Sequence, residues 1–91
     1  MEFEWDTAKA VENYRRHGVT FYEATTVFGN PLAISFPDPD HSETEDRYLL
    51  LGLSADEHTV VVAHTDRWDR LRIISAHRDT RREQSAYEEE R

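Results

Sequence analysis

The chain has 91 residues, 37% of them hydrophobic and 11% aromatic, with a formal net charge of −8; this suits one small domain with a modest core and argues against global disorder. It contains no cysteine, which excludes disulfides, thiolate metal sites and cysteine nucleophiles. A chain of this sign does not attract nucleic acid by bulk charge, so any phosphate contact must be local.

Glu2-Phe3-Glu4-Trp5 alternates and reads as a short strand. Asp6 is placed to cap a helix over about 7 to 16, which Gly18 ends in the left-handed C′ position. Thr20 and Glu23 form a capping box for a second helix. Its apolar face is Phe21, Ala24, Thr25 and Phe28, and Gly29 and Pro31 close it. A strand is expected at 32–36, followed by the polar, proline-punctuated loop 37–46. Three further strand-like runs, 47–53, 58–64 and 70–76, are separated by turn-like stretches and predict an antiparallel meander. From about Arg78 to Glu90 the pattern suits a polar helix whose large apolar marks are Ala86 and Tyr87. The expectation is a single α+β domain over 1–91, a small antiparallel sheet with two N-terminal helices on one face and a C-terminal helix.

Period two sorts the sheet faces. Leu71 and Ile73 point one way, Arg70, Arg72 and Ile74 the other, while His58, Val60, Val62 and His64 share a face. If both helices cover one side, the other is expected to carry His64 and Arg72 in the open. Charge is concentrated there too. Residues 67–82 hold six arginines against two aspartates, whereas the first 66 residues hold four basic groups against thirteen acids. Arginine offers a planar fork of donors suited to phosphate or carboxylate.

Three ordered signatures, "FEWDTAKAVENYRRHGVTFYEA", "EDRYLLLG" and "LRIISAHRDTRRE", resemble the BrnT toxins, small ribonucleases of bacterial type II toxin–antitoxin systems. Arg16 stands where lysine is more common before His-Gly, and His77 where the family's run ends in arginine. The resemblance implies a RelE-like fold, a cytoplasmic protein, and an RNA-cleaving toxin held by a ribbon-helix-helix antitoxin of the BrnA kind in a hetero-oligomer. It also implies cleavage without metal or cofactor, by attack of the ribose 2′-oxygen on its own phosphate. The absence of a long apolar run and of a basic, apolar leader agrees with a cytoplasmic setting.

That chemistry needs a base for the 2′-hydroxyl, donors for the phosphorane's charge and an acid for the leaving 5′-oxygen. His64 and His77 are the imidazoles suited to moving protons. Arg67, Arg72 and Arg82 are expected to clamp the phosphate, Arg78 and Arg81 to grip the flanking backbone, and Trp68 to stack a base. Tyr87 is expected at the antitoxin interface. Plainer roles compete with several of these. His64 can cap a strand edge, His77 can bond a nearby carbonyl, and Arg72 can pair with a cross-strand carboxylate. Arg47 can pair with Glu45, Arg81 and Arg82 with glutamates of the last helix, and His17 can complement a helix dipole. Tyr87 can be a core anchor or an active-site hydroxyl, and Trp68 can make a protein contact. No H-x-H or H-E-x-x-H spacing occurs, and Asp38, Asp40, His41, Glu43 and Glu45 read as a solvated loop. The rival functions are a regulatory module that binds antitoxin or nucleic acid without turnover, and a protein-interaction domain whose arginines meet acidic partners.

Overall fold

The computed structural model describes residues 2–38 and 46–79. The elements run β1 (Glu2–Glu4), α1 (Thr7–His17), α2 (Phe21–Val27), β2 (Ile34–Pro37), β3 (Arg47–Leu53), β4 (Thr59–Arg67) and β5 (Arg70–Arg78). Local signals set both helices. The Asp6 carboxylate accepts from the Lys9 amide at 3.0 Å, and Gly18 closes α1 at φ 70°. Thr20 Oγ1 accepts from the Glu23 amide at 3.0 Å. Only half of the expected capping box forms. The Glu23 carboxylate instead accepts from Ser54 Oγ at 2.7 Å and meets His58 Nδ1 at 2.9 Å, tying α2 to the β3–β4 turn.

The five strands form one sheet in the order β1-β5-β4-β3-β2. β2 to β5 make the antiparallel meander, but β1 pairs in parallel with β5, Phe3 lying opposite Leu71. The expectation of a small antiparallel sheet with a C-terminal helix is therefore corrected to a mixed, sheet-dominated fold with two short helices among the described residues. β1 takes this place because the meander leaves the outer edge of β5 unpaired. The register then puts Phe3 against Phe28, ring centroids 5.2 Å apart. Arg78, expected to open a helix, ends β5 instead, because the β4 ladder continues to the Val61–His77 and Val60–Arg78 pairs. Most of the expected terminal helix lies outside the described residues.

The main core lies between the sheet and the helices. Val19, Phe21, Ala24 and Val27 pack there on Leu50, Val60, Val62, Leu71, Ile73 and Ala76. Trp5 lies edge-on to Phe21 at 5.8 Å and to Tyr22 at 5.1 Å, a core-margin role. Gly52 permits the close approach of α2 and the β2 entry. A Cβ there would meet the Ala33 Cβ at 2.7 Å and a Val27 methyl at 3.1 Å.

The opposite face is not uniformly open. A second cluster, Leu51 and Val61 with Ile34, Phe36 and Leu49, occupies its β2–β3–β4 half. The other half is charged, with Glu4, Arg72, Glu2, Arg70 and Arg67 paired across it.

Candidate RNA-binding face and the α1–β5 corner

Strand register assembles the charged half. Because Leu71 and Ile73 are buried in the helix-side core, Arg72 points to the opposite face, as the alternation predicts. Lateral pairing continues from it in both directions: Glu4, Arg72, Thr65 and Arg47 make one row across four strands. Glu2, Arg70 and Arg67 make the next. Acids and arginines are therefore interleaved. Arg72 Nη1 donates to Glu4 Oε2 at 2.7 Å, and Arg70 lies 3.4 Å from the Glu2 carboxylate and 3.8 Å from that of Glu4. The carboxylate partner that Arg72 can take as a plain structural role thus exists. It comes from the parallel strand β1, which alternation within β5 does not reveal.

Trp68 and Asp69 form the two-residue loop between β4 and β5. The Trp68 side chain is fully exposed and its backbone is left-handed, φ 60°. A large non-glycine residue pays about 1–2 kcal/mol for that conformation. An indole held in water at the tip of an arginine-flanked hairpin is an available stacking surface.

His64 is elsewhere. The expectation that it stands open beside Arg72 is overturned by its burial, 7% exposed, on the helix side. It shares a face with Val60 and Val62, and that face is the one the helices cover. Its ring meets Phe28 edge-on at 5.0 Å and stacks with Tyr48 at 6.1 Å. Neither ring nitrogen has a hydrogen-bond partner. Burial lowers its pKa below the ordinary histidine value, opposed in part by the Asp66 charge.

A bulge redirects the end of β5. His64 pairs with Ile73 and Ala63 with Ser75, so Ile74 is an extra residue. Beyond it the alternation is reversed. Ala76 turns into the helix-side core, while Ser75 and His77 share rows with Ala63 and Val61 of the opposite face. The His77 row lies two rows beyond that of Arg72, about 13 Å along the sheet.

Where β1 stops, α1 covers the free edge of β5. The buried Asn13 donates to the carbonyls of Val19 at 2.9 Å and Ala76 at 2.8 Å, and accepts from the Ala76 amide at 3.0 Å. An amide side chain here replaces a neighbouring strand. One helical turn later the His17 ring comes to rest against His77, centroids 5.8 Å apart and planes at 47°. A pocket of about 170 Å³ opens on the His17 side of this contact, lined by Lys9, Glu12, Arg16, His17, Ile74 and Ser75 among others. The sequence suggests for His17 only a complement to the helix dipole, and it does sit in the basic last turn of α1. Lys9, Asn13 and Arg16 share a helical stripe, a signal that was available. What the stripe faces was not.

Arg81, Arg82 and Tyr87 lie outside the described residues, as does Glu45, the expected partner of Arg47. Among the described residues no cluster of three metal-ligating side chains occurs, and no helix is long and apolar enough to cross a membrane.

Comparison with known proteins adds the family. No curated protein matches the chain. A family model described as the ribonuclease toxin BrnT of type II toxin–antitoxin systems matches residues 5–83, a span that holds Trp5, both helices and all the charged rows but their first residues. The chain therefore belongs to the BrnT family of ribonuclease toxins.

Proposed function

We propose that the chain is a metal-independent endoribonuclease toxin. Its RNA lies along the β5 side of the charged sheet face, and the ribose 2′-oxygen is the nucleophile. The observation that carries this reading is the gathering of Arg67, Arg70 and Arg72 on one face at the β4–β5 end of an otherwise acidic chain, next to the exposed Trp68. In the proposal Arg67 and Arg72 clamp phosphate, with Arg70 beside them. Trp68 stacks a base, Arg78 grips backbone, and His77 moves a proton. Arg82 and Arg81 keep the same roles as clamp and backbone contact, and Tyr87 that of antitoxin contact. His64 takes no part, because its imidazole is sealed under Phe28 on the other side of the sheet.

Membership in a type II toxin family implies an antitoxin partner. We propose a ribbon-helix-helix protein of the BrnA kind that silences the toxin by occluding this face, with the assembly in the cytoplasm. The chemistry is tested on purified protein. It should cleave RNA at the same rate in chelator and in magnesium, leaving 2′,3′-cyclic phosphate and 5′-hydroxyl ends, because the attacking oxygen belongs to the RNA. Arg72→Ala should remain folded and lose about 10- to 10²-fold in kcat/KM, since a hydrogen bond from a charged group to an RNA phosphate is worth about 1.5–3 kcal/mol. Activity abolished by chelator and restored by a divalent ion would sink the mechanism. A folded wild type that binds RNA and yields no fragments under any condition would favour the non-catalytic module.

A further inference from the structure

His17 and His77 come from opposite ends of the chain, yet their rings are neighbours at 5.8 Å. The contact is built, not incidental. Asn13, one turn before His17, is fastened by two hydrogen bonds to Ala76, the residue before His77. The adjoining pocket brings two cations, Lys9 and Arg16 of the same helix stripe, together with His17, Ile74 and Ser75. Arg78 follows on β5. Glu12 also lines the pocket and Asp79 follows Arg78, so among the described residues the charged groups around the pair are Lys9, Glu12, Arg16, Arg78 and Asp79.

We propose that His17 is a catalytic residue, and that His17 and His77 are the acid–base pair acting on a scissile phosphate held at this corner by Lys9 and Arg16. This rests on the reading that RNA is cleaved by its own 2′-hydroxyl. A general base or acid acts over about 2.6–3.2 Å. Two imidazoles with centres 5.8 Å apart can therefore address the oxygens on opposite sides of one phosphorus. One imidazole, neutral, takes the 2′-hydroxyl proton while that oxygen bonds to phosphorus. The other, protonated, gives its proton to the 5′-oxygen as the P–O5′ bond breaks. The products are a 2′,3′-cyclic phosphate and a 5′-hydroxyl, and the pair ends with its protons exchanged. Lys9 and Arg16 neutralise the charge that grows on the non-bridging oxygens. The distant arginines of the Arg72 rows then serve to hold the strand that enters the corner.

The test uses the full chain and an RNA oligonucleotide that wild type cuts, together with the same oligonucleotide bearing a bridging 5′-sulfur at the cut site. His17→Ala, His17→Gln and His77→Ala are compared with wild type. Each should lose about 10²- to 10⁴-fold in kcat, the usual contribution of general acid–base catalysis, with a smaller change in KM. Wild type should show a bell-shaped rate profile with pH, and each single variant should lose one limb. The sulfur leaving group needs no proton, so it should restore the rate of one histidine variant and not the other. A His17→Gln protein that melts as wild type does and cleaves within about threefold of it overturns the pair. So does loss of activity with both limbs intact and no rescue by sulfur. Failure of the underlying reading is separable, because it is seen in wild type alone as a metal requirement or the absence of cyclic ends.

Discussion

His64 shows how much one side chain's surroundings decide. In sequence it is a polar residue ending a valine run; in the fold it is an imidazole with two unpartnered nitrogens between Phe28 and Tyr48. Burial disfavours its charged form. With the folded pKa depressed, the unfolded chain binds the proton more readily, so stability rises with pH across the histidine range. The His64 contribution is therefore a loss of stability as pH falls below about 6.5, its ordinary value. His64→Leu should be at least as stable as wild type at pH 7. The gap in denaturation midpoint should widen at pH 5.5, and ribonuclease activity should persist. A variant equally pH-sensitive, or one that folds but does not cleave, would show the imidazole to be accessible and in use.

Between elements, the decisive link is the Asn13 clamp of α1 on β5. α1 buries little else: Asn13 is its one fully buried residue, and Val11 and Tyr14 stay exposed. Three hydrogen bonds of one amide thus do what an apolar stripe does for α2. Asn13→Ala leaves the Ala76 amide and two carbonyls short of partners, and each buried unsatisfied group costs about 1–3 kcal/mol. With relaxation and water entry, a net loss of about 2–3 kcal/mol is expected, or roughly 10–20 °C in melting temperature for a domain of this size. Hydrogen exchange should rise first at Ala76, whose amide donates to Asn13. A melting point within about 3 °C of wild type would mean that α1 is held by other contacts.

Across the whole molecule, the acid-to-base asymmetry of the sequence is moderated by the fold. Glu2 and Glu4 belong to the acidic first part of the chain, yet β1 carries them into the arginine rows. The arginines are thereby kept ordered in the free protein, and an RNA phosphate must displace a carboxylate to reach Arg72. The Arg72–Glu4 pair is about a quarter exposed on each side, so its own stabilisation is modest, ~1 kcal/mol at most. With about three to four phosphate contacts from Arg67, Arg70, Arg72 and Arg78, RNA affinity should fall with salt at a slope of about −2 to −3, taking ~0.7 per phosphate for single strands. Glu4→Gln should bind RNA several-fold more tightly at low salt and melt close to wild type. Unchanged affinity in Glu4→Gln would place the RNA elsewhere.

What the sequence determined by itself is local. The Asp6 and Thr20 caps, the Gly18 stop and the alternating runs of the meander act over a few neighbouring residues, and both helices and the four meander strands stand close to where those signals put them. The ordered family signatures were equally legible, since each is a contiguous stretch. Tertiary structure decided everything that depends on what a face meets. The helices cover the face of Val60, Val62 and His64, and that choice buries the histidine. The parallel docking of β1 gives Arg72 its carboxylate, and the extra residue at Ile74 reverses the alternation so that Ser75 and His77 leave the core side. Asn13 and Ala76 are 63 positions apart, and no periodicity in either segment encodes their bond. Only packing brings α1 to the free edge of β5, and with it His17 to His77, because an unpaired strand edge must find donors and acceptors wherever the fold supplies them.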